Sequence, residues 1–267
     1  MSDILTQDVS GRRAFMRGAG LAVAGLAAAA LLVPGRAEAT IPSAIPGAGD
    51  IQVLNYALQL EDLEADLYVQ ALMRLTGGGT DPRAASTVGT IVGLSVSGPD
   101  VQYIQQFSPV EAAHRDFLKA ALGAGAITTL KPAKYDFGIQ NMTRQQVFDL
   151  VLEAEATGVQ AYLGAIPCFT TKSPYAQTAA AIQGTEARHT TVLTVVRNVL
   201  ISQGVFTDQI APVAPLKGDP GTQPTATNYD NNRPNTGTPE GRDLVITPDQ
   251  VLARVGGFIK YQATQSR

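Results

Sequence analysis

The chain of 267 residues has no tryptophan, a single cysteine and only two histidines. One cysteine, Cys168, can form no internal disulfide and no Cys-x-x-Cys metal knuckle. It is expected to pack as a small buried hydrophobe. Charge is scarce as well. Only 16% of residues are charged, the net charge is −3, and no basic stretch marks a nucleic-acid surface. The longest apolar run, Gly18 to Val33, falls short of the roughly 20 residues that span a bilayer. What is abundant is apolar residue, 45% of the chain, enough for one packed core.

The flanks of that run are those of an export signal. Arg12, Arg13 and Arg17 precede it, and Pro34, Gly35 and the small-residue stretch Ala37-Glu38-Ala39 follow. The pattern predicts a cleavable twin-arginine signal over 1–39, with the mature protein in the periplasm or cell envelope. Gly11 stands where that signal usually has Ser or Thr. An uncleaved amino-terminal anchor is the rival reading, and the signal is the only expected membrane contact.

Beyond a Pro/Gly-rich linker at 40–49, helical spacing dominates. A first helix is predicted over 50–75, with Leu54, Leu58, Glu61, Ala65, Tyr68 and Leu72 on one stripe. The Thr/Ser/Gly-rich stretch 80–99 reads equally as loop or short apolar hairpin. A second helix covers about 100–122, where Pro109 either kinks it or marks its start. A third spans about 143–166 and a fourth about 174–203. From 204 to 246 the chain is rich in Pro, Gly, Asn and Asp, and a short helix closes it. Four amphipathic helices over 50–203, with a loop-rich extension over 204–267, predict an all-α antiparallel four-helix bundle. The connections at 76–99 and 123–142 are long enough for one to be a crossover.

The two histidines occupy the same frame. "EAAH" places Glu111 before His114, and "EARH" places Glu186 before His189, each on an otherwise apolar stripe. With eight glutamates in the chain, that coincidence has a chance of about one in a thousand. Residues at i and i+3 sit side by side on a helix. A buried carboxylate demands compensation, and a metal ion supplies it, since carboxylate oxygen and imidazole nitrogen both ligate iron or manganese. The other two helices carry Glu61 and Glu155, each followed seven residues later by a tyrosine, Tyr68 and Tyr162. Seven residues are two turns, so each tyrosine lies on the face of its glutamate. The shared pattern favours Glu61 over Glu64, which remains a neighbour or substitute.

Together these motifs resemble the ferritin-like di-iron and di-manganese proteins, in which two helices each give a Glu and two give Glu-x-x-His. "VLNYALQLEDLEADLY", "EATGVQAYLGAIP" and "GTEARHTTVL" resemble the branch that includes plant desiccation-related proteins and exported bacterial relatives. The resemblance covers roughly 50–203. It implies two Fe or Mn ions bridged by Glu111 and Glu186. It further implies that Glu61 and Glu155 each bind one ion, that His114 and His189 each add a nitrogen, and that Tyr68 and Tyr162 hydrogen-bond the ligands. Pro109 departs from the pattern, where relatives run one unbroken helix.

Plainer readings compete. "SPVE" at 108–111 is a capping box with Ser108 as N-cap. Glu186 and His189 would make a metal-free ion pair. The tyrosines would serve as core, and Glu153, Asp62 and Asp66 as solvated face charges. The resulting functional expectation is an exported di-metal protein acting on a small oxidant, O2 or peroxide, in oxidative or desiccation stress. The alternative is a non-catalytic binding or shielding protein. The sequence leaves a homodimer open.

Overall fold

The computed structural model describes residues 40–80, 88–126, 134–170, 172–207 and 246–260. The expected signal at 1–39 and most of the 204–246 stretch lie outside the described residues. Four long helices dominate: α1 (Asp50–Leu75), α2 (Pro99–Leu122), α3 (Arg144–Ala165) and α4 (Ala176–Ser202). A short α5 (Pro248–Val255) follows. No described helix is long and apolar enough to cross a membrane.

Each start has a local cause. Residues 40–49 fold onto α1: Gln52 donates to the Pro42 and Ile45 carbonyls, and Asn55 to that of Pro46. Pro99 opens α2, where its missing N–H costs nothing. Thr143 and Gln146 form a reciprocal capping box at α3, and Thr247 and Gln250 form another at α5.

Pro109 lies inside α2, and the helix continues through it. The capping-box reading of Ser108 and Glu111 is therefore overturned. Both residues are in the helix interior, and Glu111 is fully buried. Losing one backbone hydrogen bond at proline costs about 3 kcal/mol. Tertiary packing along α2, where Val101, Ile104, Leu118 and Leu122 are buried, offsets that cost.

Cross-helix contacts give the directions. Tyr162 meets Glu61 and Tyr68 meets Glu155, so α1 and α3 are antiparallel. Glu111 meets His189 and His114 meets Glu186, so α2 and α4 are antiparallel too. Leu54 and Leu58 cluster with Leu118 and Leu122 while Glu61 meets His114, and Asp149 meets Arg197 while Glu155 meets His189, giving antiparallel α1–α2 and α3–α4 pairs. Helices α2 and α3 therefore point the same way. The connection between them, beginning at Gly123, must travel the length of the bundle and is the crossover.

Two small ribbons finish the fold. β1 (Gly79–Thr80) pairs antiparallel with β2 (Thr90–Ile91), which gives the 80–99 stretch a hairpin. β3 (Lys134–Tyr135) pairs antiparallel with β4 (Ile259–Lys260). The second ribbon joins the crossover to the C-terminal segment, whose Val251, Val255 and Phe258 are buried in the same core as α1 and α3. A Cβ on Gly164 of α3 would stand 2.2 Å from the Ile246 carbonyl oxygen, so only glycine allows this approach.

That segment changes the fate of charges expected on solvated faces. Glu153 is buried, with Arg254 of α5 4.0 Å away. Asp66 is buried and accepts from Gln70, which also bonds the Tyr135 carbonyl. Asp62 is partly covered and meets Lys119 and the Tyr135 hydroxyl. The polar faces of α1 and α3 were expected to meet water, and they meet the crossover and the C-terminal segment instead. Cys168, expected buried, is partly exposed.

Arg197 and Asp149 form a fully buried ion pair at 2.9 Å, with a second Arg197 bond to the Thr207 carbonyl. Removing one partner strands the other's charge in the core. Arg197→Ala is expected to cost about 3–5 kcal/mol in urea denaturation. A loss under about 1 kcal/mol would show that the pair contributes no more than a surface bridge.

Candidate metal centre

Glu61 and Glu64 of α1, Glu111 of α2, Glu155 of α3 and Glu186 of α4 converge in the bundle interior. All five are at most 4% exposed, and Glu111, Glu155 and Glu186 are fully buried. His114 and His189 face the same space. His114 Nδ1 lies 2.9 Å from Glu111 and 3.4 Å from both Glu61 and Glu186. His189 Nδ1 lies 2.8 Å from Glu111 and 3.2 Å from Glu155. Glu111 thus turns one carboxylate oxygen to each imidazole. His189 reaches across to α2 and α3, so the reading of Glu186 and His189 as a self-contained pair falls.

Three groups of ligating atoms, each within 4.8 Å of one another, result: Glu61, Glu111, His114 and Glu186; Glu111, Glu155 and His189; and Glu64, Glu155 and Glu186. Glu111 is shared by the first two groups and Glu186 by the first and third. All six residues proposed from sequence come together, and Glu64 joins them rather than replacing Glu61.

The tyrosines pair crosswise. Tyr162 donates to Glu61 at 2.6 Å, and Tyr68 donates to Glu155. Sequence had placed each tyrosine beside the glutamate of its own helix. In antiparallel helices with the same seven-residue offset, each tyrosine comes level with the other helix's glutamate. Two further residues escaped the sequence reading. Phe107 stacks on the His189 ring, centroids 3.8 Å apart. It stands one turn before Glu111 on the same stripe, which was the available signal. Gly158 of α3 leaves the space that Glu186 occupies: a Cβ there would stand 2.6 Å from Glu186 Oε2. Its signal was a lone glycine mid-helix, a costly choice without a packing reason.

Burial raises the carboxyl pKa of Glu64, Glu155 and Glu186 well above the usual range, and the neighbouring carboxylates push the same way. Glu61 is raised by burial too, with His114 and Tyr162 pulling back. Burial also acts to raise Glu111, yet the bonds from His114 and His189 outweigh it and leave that carboxyl below its ordinary value. For His114, burial works against the charge, but Glu111, Glu186 and Glu61 outweigh it and push the imidazole up to about 12.

These features fit a metal centre. Glu64 Oε1, Glu155 Oε2 and Glu186 Oε2 are buried with no hydrogen-bond partner, and Glu61 Oε2, Glu111 Oε1 and Glu186 Oε1 have only an imidazole nitrogen beside them. Unsatisfied buried oxygens are costly, and the five carboxyl groups outnumber the two imidazoles, so their ionised forms need further positive charge. Divalent ions supply both missing partners and charge. The donors, oxygen with imidazole nitrogen and no sulfur, suit iron, manganese or zinc.

A helical bundle with carboxylates and imidazoles converging in its core defines a class of carboxylate-centre bundle proteins. Residues 49–199 match the ferritin-like domain, and the chain belongs to that family. Comparison with curated proteins and with solved structures found no match.

Gly158→Ala is expected to lower metal affinity by about tenfold or more, because the new methyl displaces Glu186. Helicity should be kept, since Ala favours a helix by about 1 kcal/mol. Calorimetric metal titration beside circular dichroism tests this, and unchanged affinity would refute it.

The raised pKa values also give a signed pH dependence. Glu64, Glu155, Glu186 and His114 hold protons in the folded metal-free protein at pH values where the unfolded chain has released them. Their stabilisation is complete below the unfolded values and is lost as pH rises towards the folded ones. Glu111, with its lowered value, opposes the trend. The metal-free melting temperature should therefore fall between about pH 6 and about pH 8, and metal affinity should rise over the same range as protons are displaced. A flat profile for both would contradict this charge assignment.

Proposed function

We propose that this is an exported ferritin-like protein that holds two iron or manganese ions in its core and protects the cell envelope against oxidative or drying stress. Glu111 carries the reading. Its carboxylate faces both histidines at once, as a residue shared by two ions would. Glu186 is the second shared ligand. Glu61 with His114 completes one ion's set, and Glu155 with His189 completes the other's. Glu64 is an additional carboxylate at the Glu155–Glu186 side.

When bound, two Fe(II) or Mn(II) ions supply the two electrons that, with two protons, reduce O2 to peroxide or peroxide to two waters. The chain's own residues orient and exclude. Tyr162 and Tyr68 hold Glu61 and Glu155 by hydrogen bonds, which aims their free oxygens inward. Phe107 covers one face of His189. Leu193 and Val196, fully or nearly buried beyond it, keep that side dry. Export rests on the paired arginines before the apolar run at 18–33, and the stress role on the resemblance to desiccation-related proteins.

Metal content by mass spectrometry, on protein from the cytoplasmic and exported fractions, tests the proposal. About two iron or manganese ions per chain are expected, and Glu186→Ala should lose them. Full metal content in Glu186→Ala would sink this ligand set. No transition metal in either fraction would leave a non-catalytic binding or shielding bundle.

A further inference from the structure

We propose that the apolar cavity between α1, α3 and the C-terminal segment binds dioxygen directly beside the carboxylate cluster. The inference rests on the metal-centre reading and names which oxidant that centre receives.

The cavity has a volume of about 30 Å³. Its walls include Leu63 and Leu67 of α1, Leu150 of α3, Phe137, and Val255 and Phe258 of the C-terminal segment. Glu64, Thr157 and Gly158 also line it. Two of these connect it to the cluster. Glu64 contributes an oxygen to the group with Glu155 and Glu186, and its Oε1 accepts no hydrogen bond. Gly158 has no side chain, and the Glu186 carboxylate lies directly against it. A small molecule in the cavity is therefore separated from Glu186 by no side chain at Gly158.

The chemistry of the lining selects the occupant. A water needs roughly 10–15 Å³ and two to four polar partners. The space is sufficient for a diatomic molecule, but the partners are too few. Thr157 already donates to the Glu153 carbonyl and faces Arg254, which leaves one carboxylate, that of Glu64. Hydrogen peroxide would have to leave its own hydrogen bonds in bulk water without replacing them. Dioxygen makes none and loses nothing on entry. The polar edge of the cluster lies elsewhere. The His114 side chain is 12% exposed, whereas those of Glu111 and Glu186 are fully buried, so the part of the cluster nearest solvent is at α2.

Two walls of the cavity, Val255 and Phe258, lie beyond the 49–199 span of the ferritin-like match. The segment that carries them is latched to α3 by Arg254, which donates to Gln160 at 2.7 Å. The C-terminal segment thus supplies part of the wall of the oxidant site.

Xenon is the probe, because it occupies dry apolar cavities of this kind. Xenon NMR of the full-length protein should show one saturable site. Ala154→Leu, on the α3 side of the cavity, should abolish it, and Val255→Phe from the α5 side should do the same. Two variants on different elements guard against one misfolding. On Fe(II)-loaded protein, stopped-flow oxidation by dioxygen should slow by about tenfold in either variant, a barrier change of about 1.4 kcal/mol, while the ratio of peroxide to dioxygen rates rises. Absence of a xenon site, or equal slowing with both oxidants, would overturn the inference. Metal content measured on the same samples separates the two readings. Bound metal without a xenon site refutes only the cavity, and a xenon site without metal refutes only the redox centre.

Discussion

Five carboxylates and two imidazoles occupy the middle of this bundle, and their removal from water is the constraint to which the rest of the structure answers. Each carboxylate taken from water costs several kcal/mol unless it is bonded, neutralised or paired. Helices α1 to α4 bring one or two such groups each to the same level, so the cost is concentrated rather than dispersed. The fold meets it with hydroxyl donors from Tyr68 and Tyr162, with two histidines aimed at shared oxygens, and with space at Gly158 for Glu186. Three carboxylate oxygens, on Glu64, Glu155 and Glu186, still have no hydrogen-bond partner. That remainder lies on one group of ligating atoms, Glu64, Glu155 and Glu186, and is what a divalent ion would satisfy.

A second layer follows from the first. The inner faces of α1 and α3 are committed to the cluster, yet their opposite faces are buried as well. The crossover brings Tyr135 and Phe137 onto α1, and the C-terminal segment brings Val255, Phe258 and Arg254 onto α3. Glu153, Gln160 and Thr157 thereby become interior residues with interior partners. The ferritin-like match ends at residue 199. What lies beyond it supplies Val255 and Phe258 to a cavity that Glu64 of the cluster also lines.

The two long connections differ in consequence. The hairpin around β1 and β2 returns the chain to the neighbouring antiparallel helix. The stretch between α2 and α3 must run the length of the bundle, and this puts the two Glu-x-x-His helices, α2 and α4, face to face. That adjacency lets Glu111 reach both His114 and His189.

Local periodicity was enough to mark four helices and their inner stripes, and the repeated Glu-x-x-His and Glu…Tyr patterns with the family resemblance picked out six of the residues that gather at the centre. A stripe of period 3.6 shows which face is buried, and a charged residue on it must have a reason to be there. The same reasoning misjudged Glu153 and Asp66, because a polar face looks identical in sequence whether water or another segment covers it. It left Ser108 and Glu111 open as a helix start beside the ligand reading, because a proline's local cost says nothing of the packing that offsets it. It put each tyrosine on the ligand face without saying which glutamate it bonds, since the partner depends on helix direction. The sequence by itself determined which residues must be buried together. Tertiary structure alone decided which of them touch, because contact between helices depends on crossover, direction and level, none of which is written in the spacing along a single helix.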